Sequence, residues 1–253
     1  MISAGKKFTC VVMGDESLLI QCGEALRDRG HDIRAVVTAN DQIAAWARTH
    51  GVPTLAPGSG LADALSAYDY DWFFSIANLR LIPGDAWRRA REGAANFHDG
   101  PLPHYAGLNT PAWAILAGET RYGVTWHALS DGIDEGDILA TRDIDISDDD
   151  TALTLNTKCF EAGIASFAEL IDAIEAGTLK GLPQSFETRK YYAKAQRPEA
   201  AATIDFGRSV REIGRLQRAL TFGQRYANPL CLPKIRTTDG AFAVADMEID
   251  ADS

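Results

Sequence analysis

FTCVVMG (8–14), SLLIQCGEALRDRG (17–30) and HDIRAVVT (31–38) follow one another almost without a gap. The outer two are apolar, β-branched runs of strand length. The middle one has apolar residues at helical spacing and stops at Gly30, a glycine placed where a helix ends. Strand, helix and strand joined this tightly predict a βαβ unit and a parallel sheet. The pattern continues outward. DQIAAWARTHG (41–51) reads as a helix, Val52–Leu55 as a short strand and Leu61–Ala67 as a helix. DWFFSIA (71–77) is a strongly apolar strand, Pro83–Arg91 a helical stretch and GAANFH (93–98) another strand. The expected class is α/β, with a mostly parallel sheet covered by helices on both faces.

The second half changes character. GVTWHALS (123–130) and DILATRDIDI (137–146) are extended runs on either side of DGIDEG, and they predict a neighbouring pair at the sheet edge. Ser147–Asp150 is a polar start signal for a long helix over 151–177. Beyond Gly181 the composition shifts. Residues 182–205, with Pro183, Pro198 and RKYYAK, read as an extended linker. RSVREIGRLQRALTFG (208–223) reads as an amphipathic helix, and 229–250 as short strands around an Asp-Gly turn. Two units are expected: residues 1–181, the α/β domain, and 182–253, a linker, helix and small β appendage. The stop at ADS, directly after a strand-like run, suggests an excised domain or a shortened β module.

Bulk composition narrows the function. With 46% hydrophobic and 24% charged residues, the chain is neither disordered nor fibrous. A net charge of −10 argues against a broad nucleic-acid surface, which needs Lys and Arg to displace counterions. Four scattered cysteines without a C-x-x-C pair suggest buried apolar residues rather than zinc ligands or a disulfide frame. The N-terminus lacks an apolar leader, and no run approaches the ~18 residues of a membrane span, so cytoplasmic residence and no membrane contact are expected.

The turn after the first strand, MGDESLL, lacks G-x-G-x-x-G, and Asp15 and Glu16 would repel a pyrophosphate. The acidic run Asp143, Asp145 and Asp148–Asp150 fits no calcium loop and reads as solvated helix capping. NFHDGPLP (96–103) is more informative. A spacing of two on a strand turns Asn96 and His98 to one face. They sit at the end of an expected parallel strand, where open α/β sheets bind ligands. An acidic loop with Asp131, Asp134 and Asp137 could reach the same end. A carboxylate beside an imidazole favours the imidazolium, and an asparagine amide is an oxyanion donor. The competing reading is a satisfied, partly buried histidine.

NFH, the bend ending in Leu102-Pro103, and GIDEG together resemble the 10-formyltetrahydrofolate-dependent formyltransferases. GLNTPAWAILAGETRYGVTWH between them is also similar to the family's helix and strand, and the resemblance spans about residues 8–180. It implies a Rossmann-like catalytic domain and transfer of a formyl group from 10-formyltetrahydrofolate to an amine. Asn96 and His98 would stabilise the oxyanion, and Asp134 would orient His98 and help relay the proton. Leu79, Arg80, Leu81, Ile82, Leu102, Asp131 and Gly132 would form the folate pocket, and no metal is called for. The plainer reading of Leu79 and Leu81 is core packing. Asp99, Gly100 and Pro101 depart from the family's Pro-Ser-Leu-Leu-Pro bend, which points to an unusual acceptor or a differently laid loop.

The bend and the 191–206 linker look most like formyltransferase domains attached to peptide synthetases. The expected acceptor is therefore an amino acid or a carrier-bound aminoacyl unit, with a carrier protein or adjoining synthetase domains as partners. Arg208, Arg211, Arg215 and Arg218 form a basic stripe, but nucleic acid is disfavoured. Formyltetrahydrofolate hydrolysis, sugar-amine or methionyl-tRNA formylation, and a non-catalytic folate-binding module stay open.

Overall fold

β1 (Thr9–Met13) is the strand on which the sheet is built. Cys10 and Val12 enter one hydrophobic core, while Val11 and Met13 enter the other. Both faces of the strand are therefore buried, which explains its unbroken apolar run. The computed structural model describes residues 5–224, 226–245 and 247. After β1 come α1 (Leu18–Asp28), β2 (Asp32–Val37), α2 (Asp41–Thr49), β3 (Thr54–Leu55), α3 (Leu61–Leu65), β4 (Trp72–Ser75), α4 (Gly84–Trp87) and β5 (Gly93–His98). β6 (Ala106–Gly107), α5 (Thr110–Ala117), β7 (Arg121–Ala128), β8 (Ile138–Asp145) and α6 (Ala152–Glu175) follow. The remainder holds β9 (Tyr191–Tyr192), α7 (Val210–Ala219), β10 (Lys234–Thr237) and β11 (Gly240–Ala243).

The main sheet runs β3-β2-β1-β4-β5-β7-β8. Its first five strands are parallel, and β7 and β8 are antiparallel. The Rossmann-like reading and the edge pair are both present. Residues of α1, α2 and α6 cover one face, and Leu61, Leu65 and Ala86 of α3 and α4 cover the other. Strand order reverses between β1 and β4, so a crevice opens beyond their carboxyl ends.

Four details differ from the sequence reading. α4 is one turn long rather than reaching Arg91. The Arg91 and Glu92 N–H groups donate to Tyr70 and Asp71, which draws the chain down into β5. Asp150 is not a solvated cap: it is buried against Lys158, Ser147 and Thr154, and Thr151 caps α6. Leu79 and Leu81 are 82% and 84% exposed, so core packing is excluded for them. The basic stripe is largely engaged: Arg208 pairs with Glu199 and Arg211 with Asp148, while Arg215 lies over Gly118.

The 182–205 connection is extended but anchored. β9 pairs with β6, and Leu182 exchanges backbone hydrogen bonds with Ile138. Ala202, Ala219, Leu220 and Leu230 join the main core. β10 and β11 form the expected hairpin; residues 248–250 of that strand reading, and the chain's last three, lie outside the described residues.

Candidate active site

β5 alternates. Phe97 points into the core against Trp126 and Phe160, and Asn96 and His98 point the other way, into a cavity of about 720 Å³. β7 runs antiparallel beside β5, with His127 opposite Asn96 and Thr125 opposite His98. Residues directly opposite share a face, so four polar side chains meet there. Thr125 ties down the bend: its hydroxyl donates to the Gly100 carbonyl at 2.8 Å and accepts from the Leu102 N–H at 3.2 Å. Gly100 is needed at this point. A Cβ on it would come within 2.9 Å of His98 Nε2 and 2.6 Å of the Tyr105 carbonyl oxygen.

The loop after β7 delivers Asp134 to the same place in a left-handed conformation, with φ of 54°. Its carboxylate accepts from the Gly107 N–H at 2.8 Å and lies 3.7 Å from His98 Nδ1 and 3.4 Å from His127 Nε2. Burial pushes the Asp134 carboxyl up. The charge of His98, the bond to His127 and the Gly107 N–H outweigh that and hold it at about 2. Asp99 stands 3.8 Å from His98 Nδ1 on the other side. Desolvation raises its carboxyl; His98 and Thr110 offset only part of the rise, and Asp134 adds to it.

Hydrogen bonds fix the proton positions. His98 Nε2 faces the Tyr105 carbonyl oxygen, so that nitrogen carries a proton and donates. His127 Nδ1 likewise donates to the Ala128 carbonyl at 2.8 Å. His127 Nε2 is then the open position, 3.1 Å from Asn96 Nδ2. In the neutral ring it accepts from the amide; in the imidazolium it donates to Asp134. Asn96 Nδ2 also donates to the Phe97 carbonyl, so both amide hydrogens are engaged when His127 is neutral.

The mouth of the cavity is the turn at 77–82. Ala77 has φ of 47°, the Asn78 side chain bonds both backbone groups of Arg80, and Arg80 Nε donates to Asp15 at 3.1 Å. Among the described residues, the backbone groups of Leu79, Leu81 and Ile82 make no hydrogen bonds. This free edge suits a flat heterocycle with alternating donors and acceptors. Asp131 and Gly132 line the same side, and Asp131 pairs with Arg88. The far wall is Leu153, Asn156, Phe160, Tyr191, Lys194 and Phe222.

Of the ten site residues expected from the sequence, nine line this one cavity. Leu102 does not: it is buried in the bend, where its N–H serves Thr125. His127, Tyr191 and Lys194 went unrecognised. Position 127 is two from Thr125 on a strand, but only the pairing register reveals that it faces Asn96.

The model of the formyl transferase family matches residues 6–171. The chain belongs to the formyl transferase family. Methionyl-tRNA formyltransferase of Anaeromyxobacter dehalogenans (strain 2CP-C) is 33% identical over 183 residues, covering 66% of this chain and 59% of that protein. The chain thus spans less than two thirds of that relative. Methionyl-tRNA formyltransferase of Lachnospira eligens is 27% identical over 226 residues, 83% of this chain and 71% of that protein. A solved 4-N formyltransferase from Francisella tularensis superposes with a TM-score of 0.74 at 18% identity, over 96% of this chain and 98% of its own. The N-formyltransferase from Helicobacter canadensis, in complex with folinic acid and dTDP-3-aminofucose, gives 0.70 at 22% identity, over 85% and 80%. At these identities the likeness shows the fold. In this chain the bend at 99–103 fits because Gly100 leaves His98 room.

Proposed function

We propose that this chain transfers a formyl group from 10-formyltetrahydrofolate to an acceptor amine. The observation that carries the reading is the meeting of Asn96, His98 and Asp134 in one cavity whose mouth is a free backbone edge. Leu79, Arg80, Leu81 and Ile82 would hold the pteridine through that edge, flanked by Asp131 and Gly132. When bound, the folate supplies the formyl group on N10 as the electrophile.

The chain's own groups then divide the work. His98, whose Nε2 donates to Tyr105 and whose Nδ1 is flanked by Asp99 and Asp134, would in its imidazolium form present positive charge to the formyl oxygen. Asp134 is held at about 2 and is too weak a base to keep a proton at neutral pH, so it orients and balances the imidazoles. His127 Nε2 holds the available lone pair and takes the amine proton. Once protonated, it donates to Asp134 rather than accepting from Asn96. One Asn96 N–H is thereby freed for the oxyanion as the amine–formyl bond forms, and as the formyl–N10 bond breaks His127 returns the proton to the departing N10.

For the acceptor, we favour the amino group of an amino acid or a carrier-bound aminoacyl unit. The far wall is mainly apolar and aromatic. Apart from the two histidines, the basic side chains among the described lining residues are Arg80, tied to Asp15, and Lys194, which has no ion-pair partner. A nucleotide diphosphate carries more charge than one free ammonium balances. The test is mass spectrometry of reactions containing 10-formyltetrahydrofolate with free amino acids, aminoacyl thioesters, amino-sugar nucleotides and charged initiator tRNA. N-formylated amino acid or thioester is the expected product. Product only from the sugar or the tRNA would sink this acceptor, and no product from any amine would sink the activity.

A further inference from the structure

The Asp134 loop is held from outside by a segment that lies beyond the family match at 6–171. Gln184 Nε2 donates to the Asp134 carbonyl at 3.0 Å and to the Gly136 carbonyl at 2.6 Å. Its Oε1 is buried and meets no donor among the described residues, so the amide serves the loop through its N–H groups alone. Five residues on, the Arg189 guanidinium donates to the Ile133 carbonyl at 2.7 Å and pairs with Glu135 at 3.4 Å. It also lies over the Phe186 and Tyr191 rings. The segment ends in β9, which pairs with β6, the strand whose Gly107 N–H holds the Asp134 carboxylate.

Three carbonyls of the loop, those of 133, 134 and 136, are thus held by this one segment. Asp134 needs that restraint. Its left-handed backbone is tolerated by aspartate better than by most residues with a Cβ, but it still costs free energy that outside contacts offset. The carboxylate must also stay between two imidazoles, where a displacement of about 1 Å is enough to cost activity.

We infer that residues 182–192 form a strap that sets the position of Asp134, with Gln184 as a positioning residue acting through that loop. The inference rests on the formyl-transfer reading for its kinetic arm but not for its structural one. Gln184→Met fills the same space without donors, and Arg189→Met removes the second hold.

The experiment compares both variants with the full wild-type chain, by kinetics and by hydrogen exchange of the peptide covering 131–136. Expected are a kcat lowered roughly tenfold or more, a KM for the folate within about twofold of wild type, and exchange at 131–136 faster by about tenfold, with the thermal midpoint little changed. Gln184→Lys restores a donor and should recover part of the lost kcat. Unchanged exchange at 131–136 in Gln184→Met overturns the strap, as does a kcat equal to wild type. Should wild type itself transfer no formyl group, the functional reading fails and exchange alone decides the strap.

Discussion

Asp134 ties stability to pH through its two histidine neighbours. Its folded pKa of about 2 lies below the ordinary value for an aspartate in an unfolded chain, ~4. The carboxylate therefore stabilises the fold fully above about pH 4, and that contribution is lost as pH falls toward 2. The shift corresponds to roughly 2.5 kcal/mol. Urea unfolding of wild type and Asp134→Asn should differ by about this amount at pH 7 and converge near pH 2; a gap independent of pH would refute the linkage. On the proposed function the reaction depends on the same cluster. Asn96→Ala and His98→Ala should each lower kcat by about 10²–10³ while folate binding, read by calorimetry, stays within a few-fold. His127→Ala should cost about 10–10² in kcat, because the amine proton loses its receiver and Asn96 its switch. Lys194→Ala should raise KM for a carboxylate-bearing acceptor and leave an amide analogue unaffected.

Between elements, α6 comes close to β5 at one glycine. Gly163 sits mid-helix, where sequence alone counts glycine as a weakness. A Cβ there would lie 2.6 Å from the Phe97 ring, and Trp126 Nε1 donates to the Gly163 carbonyl. Gly163→Ala should destabilise by about 1–3 kcal/mol and lower activity, since Phe97 is flanked by Asn96 and His98. A denaturation midpoint equal to wild type would show that the helix shifts freely. Such contacts mark the limit of what the chain reveals beforehand. Period and glycine stops located the β1–β5 alternation, and NFH with GIDEG located the site. Those signals are local, and each lies within one element or turn. β6 and β9 have two residues each, too few for any period. His127 depends on cross-strand register, and Gln184 on a contact 50 residues away in sequence. Leu79 and Leu81 look like core by composition, but the Ala77–Arg80 turn projects them outward.

For the molecule as a whole, a net charge of −10 and the ion pairs of Arg208 and Arg211 leave little for a polyanion to grip. Turnover of a small acceptor should change little between 50 and 200 mM salt. An acceptor held through many phosphates would lose about 10³ in affinity over that range. A steep salt slope would redirect attention to nucleic acid. The cavity has a further property. The wall proposed for the folate comes from residues before 134, and part of the far wall, with Tyr191, Lys194 and Phe222, comes from after 181. On the proposed function this is a recombination map: the segment after Tyr192, with Lys194 and Phe222, can be exchanged between relatives to change what is formylated while the donor half is kept. The splice belongs after Tyr192 rather than at residue 182, because Gln184 and Arg189 must travel with the loop they hold. Chimeras joined upstream of Gln184 would inherit a mismatched partner for Asp134 and lose turnover whatever acceptor they receive.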